Sequence, residues 1–203
     1  MLERKEETMN SPAYLQKQFA NFNAVLHGIA GDLTDEEWVA RPGPGQNMLG
    51  YSVWHIPRTQ DNFLQAWIRG QDEIVRGERW AHWDHLKPLG IGVGIRLEEA
   101  DSIAHSLNLA DVMAYADEVH QTITTWLAEI SEDVLDSIPE ARAHLAAFPE
   151  YQTPGYREEV HNLYDLPVWG LLIRPCMGHV HRHLGEVDII KDVLRNAKVT
   201  ATP

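Results

Sequence analysis

The sequence has little cysteine, few basic residues and no long apolar run. Cys176 is the single cysteine in 203 residues, which excludes an internal disulfide framework and suits a reducing compartment. Lysine and arginine number 17 against 30 acidic residues, and the net charge of -13 disfavours contact with a phosphate backbone. We therefore expect no nucleic-acid partner. No apolar run reaches the roughly 18 residues of a membrane span, so we expect no membrane contact either.

Targeting and sheet signals are missing as well. The charged segment Met1 to Glu7 does not resemble a signal peptide, and we expect a cytoplasmic protein. No run of alternating β-branched residues predicts a sheet. Four long segments instead carry apolar residues at three- and four-residue spacings, the pattern of amphipathic helices. This pattern predicts an all-α four-helix bundle in a single domain, residues 1–203.

The residues that flank these segments predict where the helices begin and end. Ser11, followed by proline, predicts the start of the first helix, and Asn47 and Asn108 predict the caps of the second and third. Gly70 is predicted to end the second helix. The fourth helix is predicted over Leu166 to Leu194, with a bend where a proline interrupts it.

Two long connections lack helical periodicity. Gln71 to Ala100 holds clustered tryptophans and histidines followed by three glycines, and Glu140 to Asn162 is broken by proline and glycine. Long irregular connections in a compact domain are commonly functional. We therefore predict that Trp80 to Ile95 closes over one end of the bundle and forms part of a ligand pocket. The alternative is that Trp80 and Trp83 fill the core away from any site.

The histidines of the last helix have the spacing of a metal chelate. His179 and His183 are four residues apart, so they share one helix face with Cβ atoms about 5–6 Å apart. His181 lies about 200° from each around the helix and is expected to face elsewhere. Catalytic metal sites usually offer three protein ligands, so the third ligand must come from another segment.

His55 is the best candidate for the third ligand, because it lies among the apolar positions of the second helix. An unpartnered buried imidazole costs about 1–3 kcal/mol, whereas three imidazoles around one cation are mutually satisfied. The alternative is that His55 is a hydrogen-bonded core residue and that His179 and His183 merely share a face. Cys176 is a further candidate ligand, although its three-residue spacing from His179 is a poor helical match and buried structural cysteine is commoner.

These residues resemble those of a known family, the DinB-like superfamily, also called the bacterial thiol-transferase superfamily. Two motifs carry the resemblance: Trp54-His55 with Arg58 and Asp61 following, and His179-x-x-x-His183-x-Gly185-Glu186. The similar region spans about Ser11 to Arg195. The resemblance implies an up-down-down-up four-helix bundle that binds a divalent metal ion, zinc or nickel in many members. Carried over to this sequence, the metal ligands are His55, His179 and His183.

The resemblance also implies chemistry on small molecules. Some family members conjugate low-molecular-weight thiols such as bacillithiol or mycothiol to electrophiles, and some isomerise maleylpyruvate with mycothiol. We therefore expect a metal-dependent thiol transferase. Family members are commonly dimeric, and we expect a homodimer although the net charge opposes association. A metal hydrolase, a non-catalytic metal-bound stress-response bundle and a metal-free helical interaction module are the competing interpretations.

Glu186 is the candidate catalytic residue of this sequence. It lies three residues after His183, one turn further along the helix. Its carboxylate is expected either to accept a hydrogen bond from an imidazole or to act as a general base. The alternative is a solvated carboxylate on the helix surface.

Overall fold

The computed structural model describes residues 10–200, and no strand occurs in that range. Four long helices dominate it: α1 (Ser11–Ala30), α2 (Leu49–Asp61), α3 (Leu109–Glu129) and α4 (Val180–Thr200). A π-helical segment, Asn62–Arg69, continues α2, while Val168–Ile173 and the π-helical Arg174–His179 lead directly into α4. The predicted all-α class is confirmed.

The directions of the helices follow from the contacts between them. α1 and α3 are antiparallel, because residue numbers rise along one and fall along the other in the pairs Gln16–Thr124 and Asn23–Asp117. α1 and α4 are parallel, with the pairs Phe22–His181 and Ile29–Lys191. α2 is antiparallel to the segment that leads into α4, with the pairs His55–His179 and Gln60–Cys176. The bundle is therefore up-down-down-up, as the resemblance implied.

Two of the four predicted helix starts are displaced by one or two residues. The first is not: α1 begins at Ser11 as predicted, although the capping side chain is that of Asn10, whose oxygen accepts from the backbone N–H of Ala13. The cap of α2 is Met48 rather than Asn47, because the Leu49 amide donates to a distant carbonyl instead of to a capping side chain.

The remaining boundaries depend on proline, glycine and asparagine. The helical segments that end in α4 begin at Val168, whereas the fourth helix was predicted to begin at Leu166, since Pro167 occupies the cap. The cap at Asn108 is confirmed by a bond from the Asp111 amide to its side chain. Gly70 ends the second helical unit with a φ of 61°, also as predicted.

Both connections predicted to be irregular contain short helices. The first holds Ile74–Arg76, Glu78–Leu89 and the start of Leu97–Ser106, and the second holds Ala141–Leu145, Pro149–Gln152 and Pro154–Val160. Two further short helices are Asp35–Trp38 and Glu132–Asp136. Ile74–Arg76, Glu78–Leu89 and Pro149–Gln152 are 3₁₀ helices, which do not show the 3.6-residue period, and this explains why the sequence pattern missed them.

Two further expectations concern the surroundings of the chain. Within residues 10–200, no helix is long and apolar enough to cross a bilayer. The structure contains one chain, so the expected homodimer stays a prediction.

Candidate metal centre

Three histidines from two helical segments converge inside the bundle. The Nε2 atoms of His55 and His179 are 3.0 Å apart, and those of His179 and His183 are 3.2 Å apart. One ligand atom from each of the three lies within 4.8 Å of the other two. The three rings stand nearly perpendicular to one another, at 80° to 88°. The structure thus brings together the three residues predicted as ligands.

Hydrogen bonds on the far side of two rings determine which nitrogen is free to bind a cation. His55 Nδ1 is 2.6 Å from the carbonyl oxygen of Ile91, and His183 Nδ1 is 2.8 Å from a carboxylate oxygen of Glu186. Both oxygens only accept, so each neutral ring carries its proton on Nδ1. The Nε2 atoms of His55 and His183 therefore present lone pairs to the centre of the group.

The spacing of the three nitrogens fits a cation. A neutral His179 can donate one proton from Nε2, to His55 or to His183, and the Thr59 hydroxyl, 3.3 Å from His55 Nε2, is a second possible donor to His55. Ligand nitrogens at about 2.05 Å from a tetrahedral zinc ion are about 3.3 Å apart, close to the separations found here. The group can hold a metal ion, and binding itself stays a prediction.

Burial keeps two of the histidines in the neutral form that binds metals. Burial, followed by the neighbouring charge of His183, lowers the pKa of His55 to about 3. The same two causes lower the pKa of His179 to about 4. Metal ligation requires an unprotonated imidazole nitrogen. Near neutral pH neither ring needs to lose a proton before it coordinates.

A π-helical turn carries His179 into the site. Pro175 lacks an amide hydrogen and so cannot complete the hydrogen bonds of an α-helix, and the segment Arg174–His179 is π-helical around it. The bend that was predicted at this proline therefore takes the form of a widened turn. Such turns occur frequently at functional sites.

The end of the long connection forms one wall of the site. Besides the Ile91 contact with His55, the Tyr51 hydroxyl donates to the Gly92 carbonyl at 2.7 Å, and the Tyr51 ring stacks on His55. Gly92 has a φ of 86°, and an added Cβ would lie 2.5 Å from the Tyr51 hydroxyl. Glycine is required here for both reasons. The prediction that this connection reaches the site is confirmed for Ile91 and Val93, which line the adjoining cavity.

The tryptophans of the same connection lie elsewhere. Trp80 and Trp83 are buried, contact each other and both pack edge-on against Tyr115 of α3. Neither of them lines the cavity beside His179. For these two side chains the alternative interpretation, core filling, describes the structure.

A buried charged network lies behind the site and holds the wall in place. Arg58, one turn after His55, donates to Asp61, Glu73 and the carbonyl of Gly90. The Arg58 side chain is 3% exposed and the two carboxylates are fully buried. Gly90 precedes the residue that orients His55, so this network connects the core to the histidine group. Sequence reasoning missed Glu73 and the backbone carbonyls, which no motif marks.

A cavity of about 250 Å³ opens beside His179. Its walls come from α2 and the π-helical segment that continues it, the end of the long connection, the helix Pro154–Val160 with the turn after it, and the π-helical segment Arg174–His179. The lining is mixed, with apolar Phe63, Ile91, Val93, Val160, Leu163 and Pro175 and polar Thr59, Glu159, Asn162, Arg174 and His179. Small-molecule sites combine apolar walls with polar groups that fix the ligand's orientation.

Two other candidates take no part in the group. His181 is exposed, bonds the carbonyl of Met177 through Nδ1 and packs edge-on against Phe22, so it faces elsewhere as predicted. The Cys176 thiol is fully buried, and burial raises its pKa well above the usual range. In the part of the chain that the structure describes, the metal-binding group contains three histidines and no cysteine.

Glu186 contacts the site from behind His183, which favours an orienting role over proton transfer at the metal side of the ring. We expect Glu186→Ala to weaken metal binding about tenfold, because removing the acceptor of a ligating histidine frees its tautomer and ring orientation. Competition with a chromogenic chelator measures the affinity. Asp192→Asn, a change at an exposed carboxylate further along α4, serves as the control. Equal affinities for the two variants would contradict the orienting role.

The comparisons with known proteins agree with this fold and this arrangement. No curated protein matches the chain at a significant level. The family model of the DinB superfamily matches residues 18–187, a range that includes all three histidines. With its up-down-down-up helices and its convergent histidines, the chain belongs to the DinB superfamily.

Proposed function

We propose that the protein is a metal-dependent transferase that joins a low-molecular-weight thiol to a small electrophile. The observation that carries the proposal is the position of His179, which belongs to the histidine group and also lines the cavity. A ligand in the cavity therefore lies next to the place where a metal ion would bind. Family membership supports the same class of reaction.

Three imidazole donors suit zinc or nickel, and we propose one such ion per chain, held by His55, His179 and His183. When bound, a divalent ion supplies Lewis-acid chemistry that lowers the pKa of a thiol or of water toward neutrality. The chain's own residues orient the ligands: the Ile91 carbonyl holds His55, and Glu186 holds His183.

The cavity walls supply the binding part of the proposed reaction. Phe63, Val93 and Leu163 present apolar surface to the body of a substrate and exclude water from it. In the reaction the thiol releases its proton to solvent, its sulfur forms a bond to an electrophilic carbon, and the leaving group departs from that carbon as an anion with the bonding electrons. Water excluded from the cavity does not compete as a nucleophile.

The cavity also supports an enzyme over a non-catalytic scaffold. A purely structural metal site is typically closed by four protein ligands. Here the described residues offer three ligands, and the group adjoins a hollow large enough for a small molecule. A metal hydrolase would use the same geometry with water in place of the thiol, so the experiment must separate the two.

The test is a conjugation assay on metal-loaded protein with a panel of low-molecular-weight thiols and an aromatic chloride as electrophile. We expect thioether formation above the uncatalysed rate, and we expect His179→Ala to reduce it to that rate because the ligand beside the cavity is lost. His181→Ala should retain the activity, since this ring faces away from the site. A second assay with an ester in place of the chloride tests for hydrolysis; metal-dependent ester hydrolysis without any thiol dependence would indicate a hydrolase and would count against the proposal.

A further inference from the structure

The mouth of the cavity carries an arginine that is available to a ligand. Among residues 10–200, Arg174 is the one arginine whose side chain has no hydrogen bond, ion pair or aromatic partner; the side chains of the others each bond or stack. Arg174 lines the cavity and is exposed. The chain has a net charge of -13, so acidic side chains that could pair with an arginine are plentiful. An unpaired guanidinium beside a cavity therefore indicates a group that can bind a ligand.

The π-helical turn explains how Arg174 comes to this position. Residues five apart are about 140° from each other around an α-helix, on different faces. A π-helix bonds residues i and i+5, which brings such residues onto neighbouring positions of one face. Arg174 and His179 are the first and last residues of the π-helical segment, and both line the cavity.

An unpaired carboxylate lies in another wall of the same cavity. Glu159, from the helix Pro154–Val160, lines the cavity and is exposed. In the described part of the chain it has no hydrogen bond or ion pair through its side chain, and no ion pair joins it to Arg174. The two opposite charges are therefore both free for a ligand rather than for each other.

We propose that this cavity binds a zwitterionic small molecule of the amino-acid type, with its carboxylate at Arg174, its ammonium group at Glu159 and its side chain directed along the apolar wall toward His179. A guanidinium is the side chain best suited to a carboxylate, which it can bind through two parallel hydrogen bonds. A hollow of about 250 Å³ accommodates a molecule of this size.

The inference rests on the proposed function in one respect, because it assigns the thiol of that reaction to the cysteine-like class. A thiol carried on an amino-acid head would place its sulfur on the side of the histidines. The charge arrangement can still be tested without any thiol chemistry, since the two charged side chains are separate from the three ligands.

The test measures binding of S-methyl-L-cysteine, a zwitterion that cannot form a thiolate, by calorimetry or by chemical-shift perturbation. N-acetyl-S-methyl-L-cysteine lacks the ammonium group, and S-methyl-L-cysteine amide lacks the carboxylate. Each probe is titrated into the wild type, Arg174→Gln and Glu159→Gln at equal metal content. The matched controls are Arg157→Gln and Glu158→Gln, which change neighbouring charges outside the cavity lining.

We expect Arg174→Gln and Glu159→Gln each to weaken binding of the zwitterion about fivefold, since each removes one partly exposed charge contact. Glu159→Gln should not weaken binding of the N-acetyl probe, and Arg174→Gln should not weaken binding of the amide. Either pocket variant binding the zwitterion as its control does would overturn the inference. Retained charge-dependent binding without any thiol conjugation would support the inference while removing the proposed function.

Discussion

Replacing His183 with alanine is expected to abolish metal binding. Its Nε2 atom lies 3.2 Å from that of His179, and the remaining pair of imidazoles offers one ligand fewer than catalytic sites usually provide. Protein purified without chelators or nickel resin should contain a single divalent ion per chain, and the variant close to none. Elemental analysis by mass spectrometry measures both values.

The control for this change is His181→Ala, which removes an imidazole from the same helix. That ring bonds a backbone carbonyl and contacts Phe22, outside the histidine group. We expect full metal content in this variant. Full occupancy in His183→Ala, or an equal loss in His181→Ala, would show that the ligand assignment is wrong.

Replacing Arg58 with leucine is expected to destabilise the fold by about 3–5 kcal/mol, because it leaves the buried Asp61 without a cation and the buried Glu73 with Arg76 alone. The guanidinium donates to Asp61 at 3.1 Å and to Glu73 at 2.9 Å. Burial raises the pKa of Asp61 to about 6, and the positive charge of Arg58 opposes this rise. Urea-induced unfolding followed by circular dichroism gives the free energy of unfolding.

The matched control is Arg79→Leu, which breaks an ion pair with Glu118. The Arg79 side chain is 62% exposed, and solvent screening limits such pairs to less than about 1 kcal/mol. If Arg58→Leu lowers the free energy of unfolding no more than the control does, the buried network does not stabilise the fold as predicted. Arg58→Leu should also bind metal more weakly than the wild type. Arg58 donates to the Gly90 carbonyl, and Gly90 precedes Ile91, whose carbonyl orients His55.

The two changes probe different levels of the same site. His183→Ala removes an imidazole from the histidine group and should leave the bundle intact, since His183 is not part of the hydrophobic core, although its side chain is 17% exposed. Arg58→Leu removes a support and should affect stability first. Measuring metal content and unfolding on both variants separates direct ligation from positioning.

Sequence spacing was sufficient to predict that two histidines near the start of the last helix come together. A four-residue interval places His179 and His183 on one face whatever surrounds them, because the helical period is local. The apolar neighbours of His55 indicated that it faces inward, and the four amphipathic segments predicted the bundle. Local periodicity is enough for these inferences, since each depends on residues within a few turns of one another.

The tertiary structure alone determined what surrounds the histidines. The Ile91 carbonyl that orients His55 is a backbone group 36 residues away, and a backbone carbonyl has no signature in sequence. The same holds for Glu73, which meets Arg58 only after a long connection has folded back. The placement of Trp80 and Trp83 against Tyr115, away from the cavity, was likewise open in the sequence, because their apolar surface demands burial without specifying a partner. Interactions between distant segments depend on how the helices pack, and the sequence pattern of any one segment does not contain that information.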